Sequence, residues 1–174
     1  MGLTELKREL RKLDKDQLVG LISDLYKNEK SVQKLLDFYV NPNEKELFNE
    51  FRHIVITAFY PDRGYEINLH KGREAISNFR KYGPSPHRLA DLMFVYVETG
   101  VSFTNEFGDM NESFYSSLES MYVRAMKLMQ KEIILDKFAA RAKAIVENTR
   151  NVGWGFHDYL ADVYYDYFPD DIVE

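Results

Sequence analysis

The residues of this chain with chemistry to offer are a few acids and amides in its middle and a histidine near its end. Glu98 comes first. It sits within residues 86 to 107, a stretch apolar on almost every side of a helix, with Asp91 and Asn105 seven residues away on nearly the same face. A carboxylate placed there is costly to bury alone, so it calls for a hydrogen-bond donor, a cation or a metal against it. Pairing with an arginine in a polar seam is the structural alternative to a reactive site. The turn "NEFGDMNE", residues 105 to 112, adds Asn105, Glu106, Asp109, Asn111 and Glu112, oxygen ligands of the kind Ca²⁺ and Mg²⁺ take. Its spacing is not that of an EF-hand. A helix end at Gly108 and an N-cap at Asp109, with Glu112 at capping-box distance, accounts for the same residue types.

The doublet His157 and Asp158 follows two glycines and the only tryptophan, in "VGWGFHD". A metal-dependent phosphohydrolase uses such a doublet with further His and Asp ligands. The remaining histidines are His53 on an exposed helix face, His70 in a loop and His87 at a helix start, which form no ligand pattern. A di-iron bundle needs two Glu-x-x-His motifs, and the chain has Glu50 to His53 alone, directed away from the apolar face. At 100° per residue Phe156, Leu160, Val163 and Tyr167 make one stripe. His157 borders it, and Asp158 points outward in the first turn, where its charge favours the helix dipole. The "GWG" turn is expected to set Trp154 and Phe156 into the core.

A metal-binding or hydrolase-type reading therefore joins Glu98, Asn105, Asp109 or Glu112 to His157 across packed helices. Its catalytic candidates are Glu98 and His157; its metal candidates are Asp109, Glu112 and His157. It requires Glu98 and His157 to meet.

The elements that must position these residues read as helices throughout, with no convincing alternating strand. Leu3, Leu6, Leu10 and Leu13 make a short amphipathic helix, and Asp14 with Gln17 restarts the chain as a second one. A third runs near 31 to 39. In "NPNE", Asn41 is expected to cap a fourth helix, with Pro42 at its first position and Glu44 reaching back. Residues 61 to 70 read as a loop, followed by a brief helix ending at Gly83. Ser85 and Pro86 open the stretch that carries Glu98, which is expected to be the buried central helix. Three more helices complete a single all-α domain over 1–174, seven to nine helices arranged as antiparallel hairpins.

Composition narrows the function classes. The 174 residues include no cysteine, which removes thiol catalysis, zinc fingers and iron–sulfur ligation and points to a cytoplasmic setting. The apolar run of residues 54 to 60, broken only by Thr57, is far short of a membrane span. No nucleophile elbow, P-loop or dinucleotide fingerprint is present. The net charge of −5 is uneven: residues 1–88 carry +3 and residues 89–174 carry −8. Nucleic acid would have to use the first half, through Arg63, Lys71, Arg73, Arg80, Lys81 and Arg88. A basic stretch without a recognised motif reads more simply as a solvated face.

With "YVETGVSFTNEFGDMNESFY" and "VGWGFHD", and with "ELKRELRKLDKDQLVGLISDLY" and "NPNE" before them, the chain resembles an all-helical bacterial family classified as a domain of unknown function. The resemblance implies a compact helical domain in a bacterial cytoplasm and brings no reaction, ligand or catalytic residue with it. The expectation that follows is a non-enzymatic helical module, without cofactor, acting through contact with a protein partner or as a homodimer.

Overall fold

Helical spacing becomes helix throughout the computed structural model, which describes residues 2–64 and 66–169. Among the described residues there are nine α-helices, one 3₁₀ turn and no strand. Their contacts group into two units, residues 1–43 and residues 44–174.

The first unit holds α1 (Leu3–Leu10), α2 (Lys15–Asn28) and α3 (Lys30–Val40). The restart expected at Asp14 is a complete capping box: Gln17 N–H donates to Asp14 Oδ1 at 2.8 Å, and Asp14 N–H donates to Gln17 Oε1 at 3.0 Å. Helices α2 and α3 meet at Glu29, whose extended backbone ends one and begins the other. They pack on each other, and the Tyr26 hydroxyl donates to Asp37 Oδ1 across the pair at 2.9 Å. None of the three helices buries a residue.

The second unit holds α4 (Glu44–Phe59), α5 (Leu69–Lys81), α6 (Pro86–Phe107), α7 (Glu112–Lys131), a 3₁₀ turn (Leu135–Phe138), α8 (Ala139–Glu147) and α9 (Phe156–Tyr167). The helix that is apolar on almost every side is central, as its sequence predicts. Half of α6 is buried, and it packs against α4, α5, α7 and α8. Ser85 caps it and Pro86 opens it. Around it sits an aromatic core in which Phe94 stacks on Tyr122 at 5.8 Å and meets the edge of Phe138 at 5.7 Å. Gly100 lets α6 and α7 approach closely, since a Cβ there would fall on the Leu118 side chain.

Four local expectations are corrected. Asn41 does not cap α4: its N–H closes the end of α3 on Asp37, and α4 begins at Glu44. Glu44 reaches away from its own helix, accepting a hydrogen bond from Ser85 N–H at 2.6 Å. His70 lies in the first turn of α5, because Asn68 caps that helix by accepting from Lys71 N–H. Trp154 is outside the core, 63% exposed. It and Gly155 both take positive φ, 63° and 68°, and this reversal turns the indole outward while Phe156 goes fully into the core. No helix among the described residues is long and apolar enough to cross a membrane.

Candidate functional site

The polar side of α6 faces α8 and forms a seam of named partners. Glu98 is held by Arg141, whose Nε donates to Oε1 and whose Nη2 donates to Oε2 at 2.7 Å; Nη1 turns to Asp91 Oδ1. Asp91 also faces Arg88, at 3.5 Å. The donor that a carboxylate on so apolar a helix calls for is therefore a guanidinium, and the fork geometry takes both oxygens of Glu98 at once. Burial opposes the charge on Arg141, but the hydrogen bonds and charges of Glu98 and Asp91 outweigh it and push its pKa up. Its guanidinium also lies over the Phe94 ring, 5.6 Å from the centroid. A cavity of about 430 Å³ opens beside this pair, bordered by Arg52, Ile56, Tyr60 and Ser102. The Tyr60 hydroxyl donates to Glu106 Oε2 at 3.1 Å, and burial together with that carboxylate pushes its pKa up to about 12.

His157 does not meet Glu98. Its Nδ1 lies 2.9 Å from Thr149 Oγ1 and 3.2 Å from the Val146 carbonyl. That carbonyl only accepts, so a hydrogen bond to it is donated by Nδ1. Thr149 is fully buried and donates to the same carbonyl at 2.6 Å. Asn105 reaches this region from the other side, its Nδ2 donating to the Asn148 carbonyl at 2.9 Å. Two of the candidate residues thus converge on one target, the C-terminal end of α8. Its last carbonyls have no partner within the helix and draw donors from α6 and α9.

Asp109 is not the cap of α7. Asn111 is, accepting from Phe114 N–H at 3.1 Å. Asp109 is engaged by the Tyr115 hydroxyl, which donates to its Oδ1 at 3.0 Å, and the Gly153 N–H lies 3.5 Å from the same oxygen. The Tyr115 hydroxyl also contacts Thr104 Oγ1 at 2.8 Å and accepts from Met110 N–H at 3.1 Å, so it ties the α6–α7 turn together. Glu112 is exposed at the first position of α7. Among the described residues no three His, Asp or Glu side chains converge to hold a metal ion, so Asp109, Glu112 and His157 do not form one centre.

The basic segment divides. Arg73 donates to Ser117 Oγ at 2.6 Å and through it meets the Tyr96 hydroxyl, while Arg88 stacks over Phe48 at 5.0 Å. Lys81 donates to Asn78. Arg63, Lys71 and Arg80 are exposed.

Sequence reasoning did not single out Arg141, Asn148, Thr149 or Tyr115, although pairing of Glu98 with an arginine in a polar seam was its structural alternative to a reactive site, and Arg141 is that arginine.

No curated protein and no solved structure matches the chain. Residues 1–168 match a family of unknown function, DUF6155, over nearly the whole length. A helical chain whose central acid is locked to an arginine and whose terminal histidine is locked to a helix end is, by that match, a member of the family DUF6155.

Proposed function

We propose that this protein acts by protein–protein contact, as a homodimer joined through the helices of its first unit. The observation that carries the reading is that α1, α2 and α3 bury no residue while their apolar side chains stand in water. Ile22 is 47% exposed, Tyr39 82% and Val40 81%. A unit of this size is where a single core stops sufficing and oligomerisation is a common remedy. Leu21, Ile22 and Leu25 recur at three- and four-residue spacing, the pattern of a helix laid against another helix.

Charge favours a second copy as the occupant. Residues 1–43 hold eight Lys and Arg against seven Asp and Glu, a net of +1, whereas residues 44–174 carry −6. Two copies meeting through their first units avoid the repulsion that their acidic remainders would impose. The engagement of Glu98 by Arg141 and of His157 by Thr149 and Val146 supports a non-enzymatic role, since both side chains already serve the packing. A cytoplasmic setting fits a chain free of cysteine.

Sedimentation velocity over a concentration series tests this. A dimer is expected for the full chain, and a monomer with unchanged helical circular dichroism for the double substitution Ile22→Glu, Leu25→Glu. A monomer at every concentration for the unaltered chain overturns it.

A further inference from the structure

We infer that the turn closing α7 is a docking tip for an anionic lipid surface, with Ile133 as the side chain that enters the interface and Arg124, Lys127 and Lys131 as the cations that meet the headgroups. Helix α7 ends in a Schellman motif: Ile133 N–H donates to the Gln130 carbonyl at 3.2 Å, and Ile134 N–H donates to the Met129 carbonyl at 2.9 Å. The reversing residue of that motif takes the left-handed region, where glycine is the usual occupant, and here it is Ile133 at φ 56°. A β-branched residue is costly in that conformation. Packing does not offset the cost, since Ile133, at 91% exposure, is the most exposed large apolar residue among those described. Ile134 and Leu135 follow it, half-buried. The tip projects an aliphatic side chain outward from a turn.

Charge identifies what covers it. Residues 124–137 hold four Lys and Arg against two acids, a net of +2, inside a half of the chain whose net is −8. Arg124, Lys127 and Lys131 are exposed and stand three and four residues apart, so they form one stripe on α7 that runs to the turn. The helix dipole and Glu132, 3.1 Å away, account for Lys131. They do not account for Arg124 and Lys127, which precede the last turn and pair with no acid among the described residues. Beyond the turn Lys137 is exposed beside Asp136.

Nucleic acid would satisfy the cations and leave Ile133 in water. An acidic protein would need a pocket cut to one isoleucine. An anionic bilayer meets both features without a preformed pocket, because the aliphatic side chain enters the acyl boundary while the long cationic side chains stay at headgroup level. This reading does not rest on the dimer.

The full-length protein is co-sedimented with vesicles of equal parts phosphatidylglycerol and phosphatidylcholine, and with vesicles of phosphatidylcholine alone. Half of the protein is expected on the anionic vesicles at about 1 mM lipid, with far less on the neutral ones. Arg124→Gln and Lys127→Gln are each expected to weaken binding about fivefold. Ile133→Gly is expected to weaken it about tenfold while the thermal unfolding midpoint stays or rises, because glycine relieves the reversed backbone. A side chain that served only the fold would lower the midpoint instead, and that result overturns the inference. So does an absence of binding to the anionic vesicles, equal binding to the neutral ones, or binding that Ile133→Gly leaves unaltered. Binding of a DNA duplex in place of the vesicles overturns it as well.

Discussion

Residues 1–43 and residues 44–174 are built from the same helical spacing, yet one unit has a core and the other does not. The first carries three aromatic residues, Tyr26, Phe38 and Tyr39, and relies on leucine, isoleucine and valine along three short helices. The second carries the remaining 22 aromatics, and the buried ones among them, Phe94, Tyr122 and Phe138 included, interlock around a helix that is apolar on almost every side. Amphipathicity makes a face; enclosure needs a residue with neighbours in every direction. Phe94 has them and Leu25 does not.

The largest effect is expected at Phe94. It is fully buried between Tyr122, Phe138 and Arg141, so Phe94→Ala should cost about 3–5 kcal/mol in denaturant unfolding, from lost burial and the cavity left behind. A loss below about 1 kcal/mol would mean that the second unit is no better enclosed than the first.

Next comes Arg141. Arg141→Met strands Asp91 and Glu98 against apolar surface, at a cost of about 1–2 kcal/mol once the partial exposure of the pair, 32% and 35%, is allowed for. Adding Glu98→Gln and Asp91→Asn should return most of it. A triple variant no better than the single one would show that the guanidinium acts through its packing on Phe94 instead.

Alkaline pH separates the units by chemistry. The Tyr60 hydroxyl has its pKa raised from 10.0 to about 12, by burial first and then by Glu106, and burial also raises Tyr96, Tyr122 and Tyr167. Below pH 10 these phenols are neutral whether the chain is folded or not. Above it the unfolded chain loses protons that the folded chain keeps, so stability falls as pH rises from 10 toward 12. Tyr60→Phe should make that decline shallower in unfolding curves recorded at successive pH values. An unchanged slope would remove Tyr60 from the account.

The smallest effect is expected at Leu25, where Leu25→Ala should change the stability of the monomeric chain by no more than about 0.5 kcal/mol while weakening self-association. A loss of several kcal/mol in dilute monomer would show that this side chain is enclosed after all and would erase the contrast between the units.

What could be read from the sequence was local. Asp14 with Gln17, and Ser85 with Pro86, were legible because a cap and its first turn lie within three or four residues, and the N–H groups they serve are orphaned in any helix start. The same reasoning failed at Asn41 and Asp109. Asn41 ended the preceding helix, and a tyrosine hydroxyl six residues on engaged Asp109 and left Asn111 to cap. Neighbouring residues of capping type compete, and local chemistry does not rank them.

The apolar surround of α6 and the helical architecture followed from the sequence alone, because a helix apolar on almost every side has nowhere stable to go except the interior. Only the tertiary structure decided who partners whom. Arg141 stands 43 residues from Glu98, and Asn148 the same distance from Asn105. Periodicity could say that Glu98 needs a cation and that helix ends need donors, but the fold alone brings α8 against α6. Trp154 marks the limit most clearly. Its composition predicts burial, and two successive left-handed residues turn it into water. Side-chain type sets a preference, while backbone direction at a turn is fixed by what the flanking helices pack against.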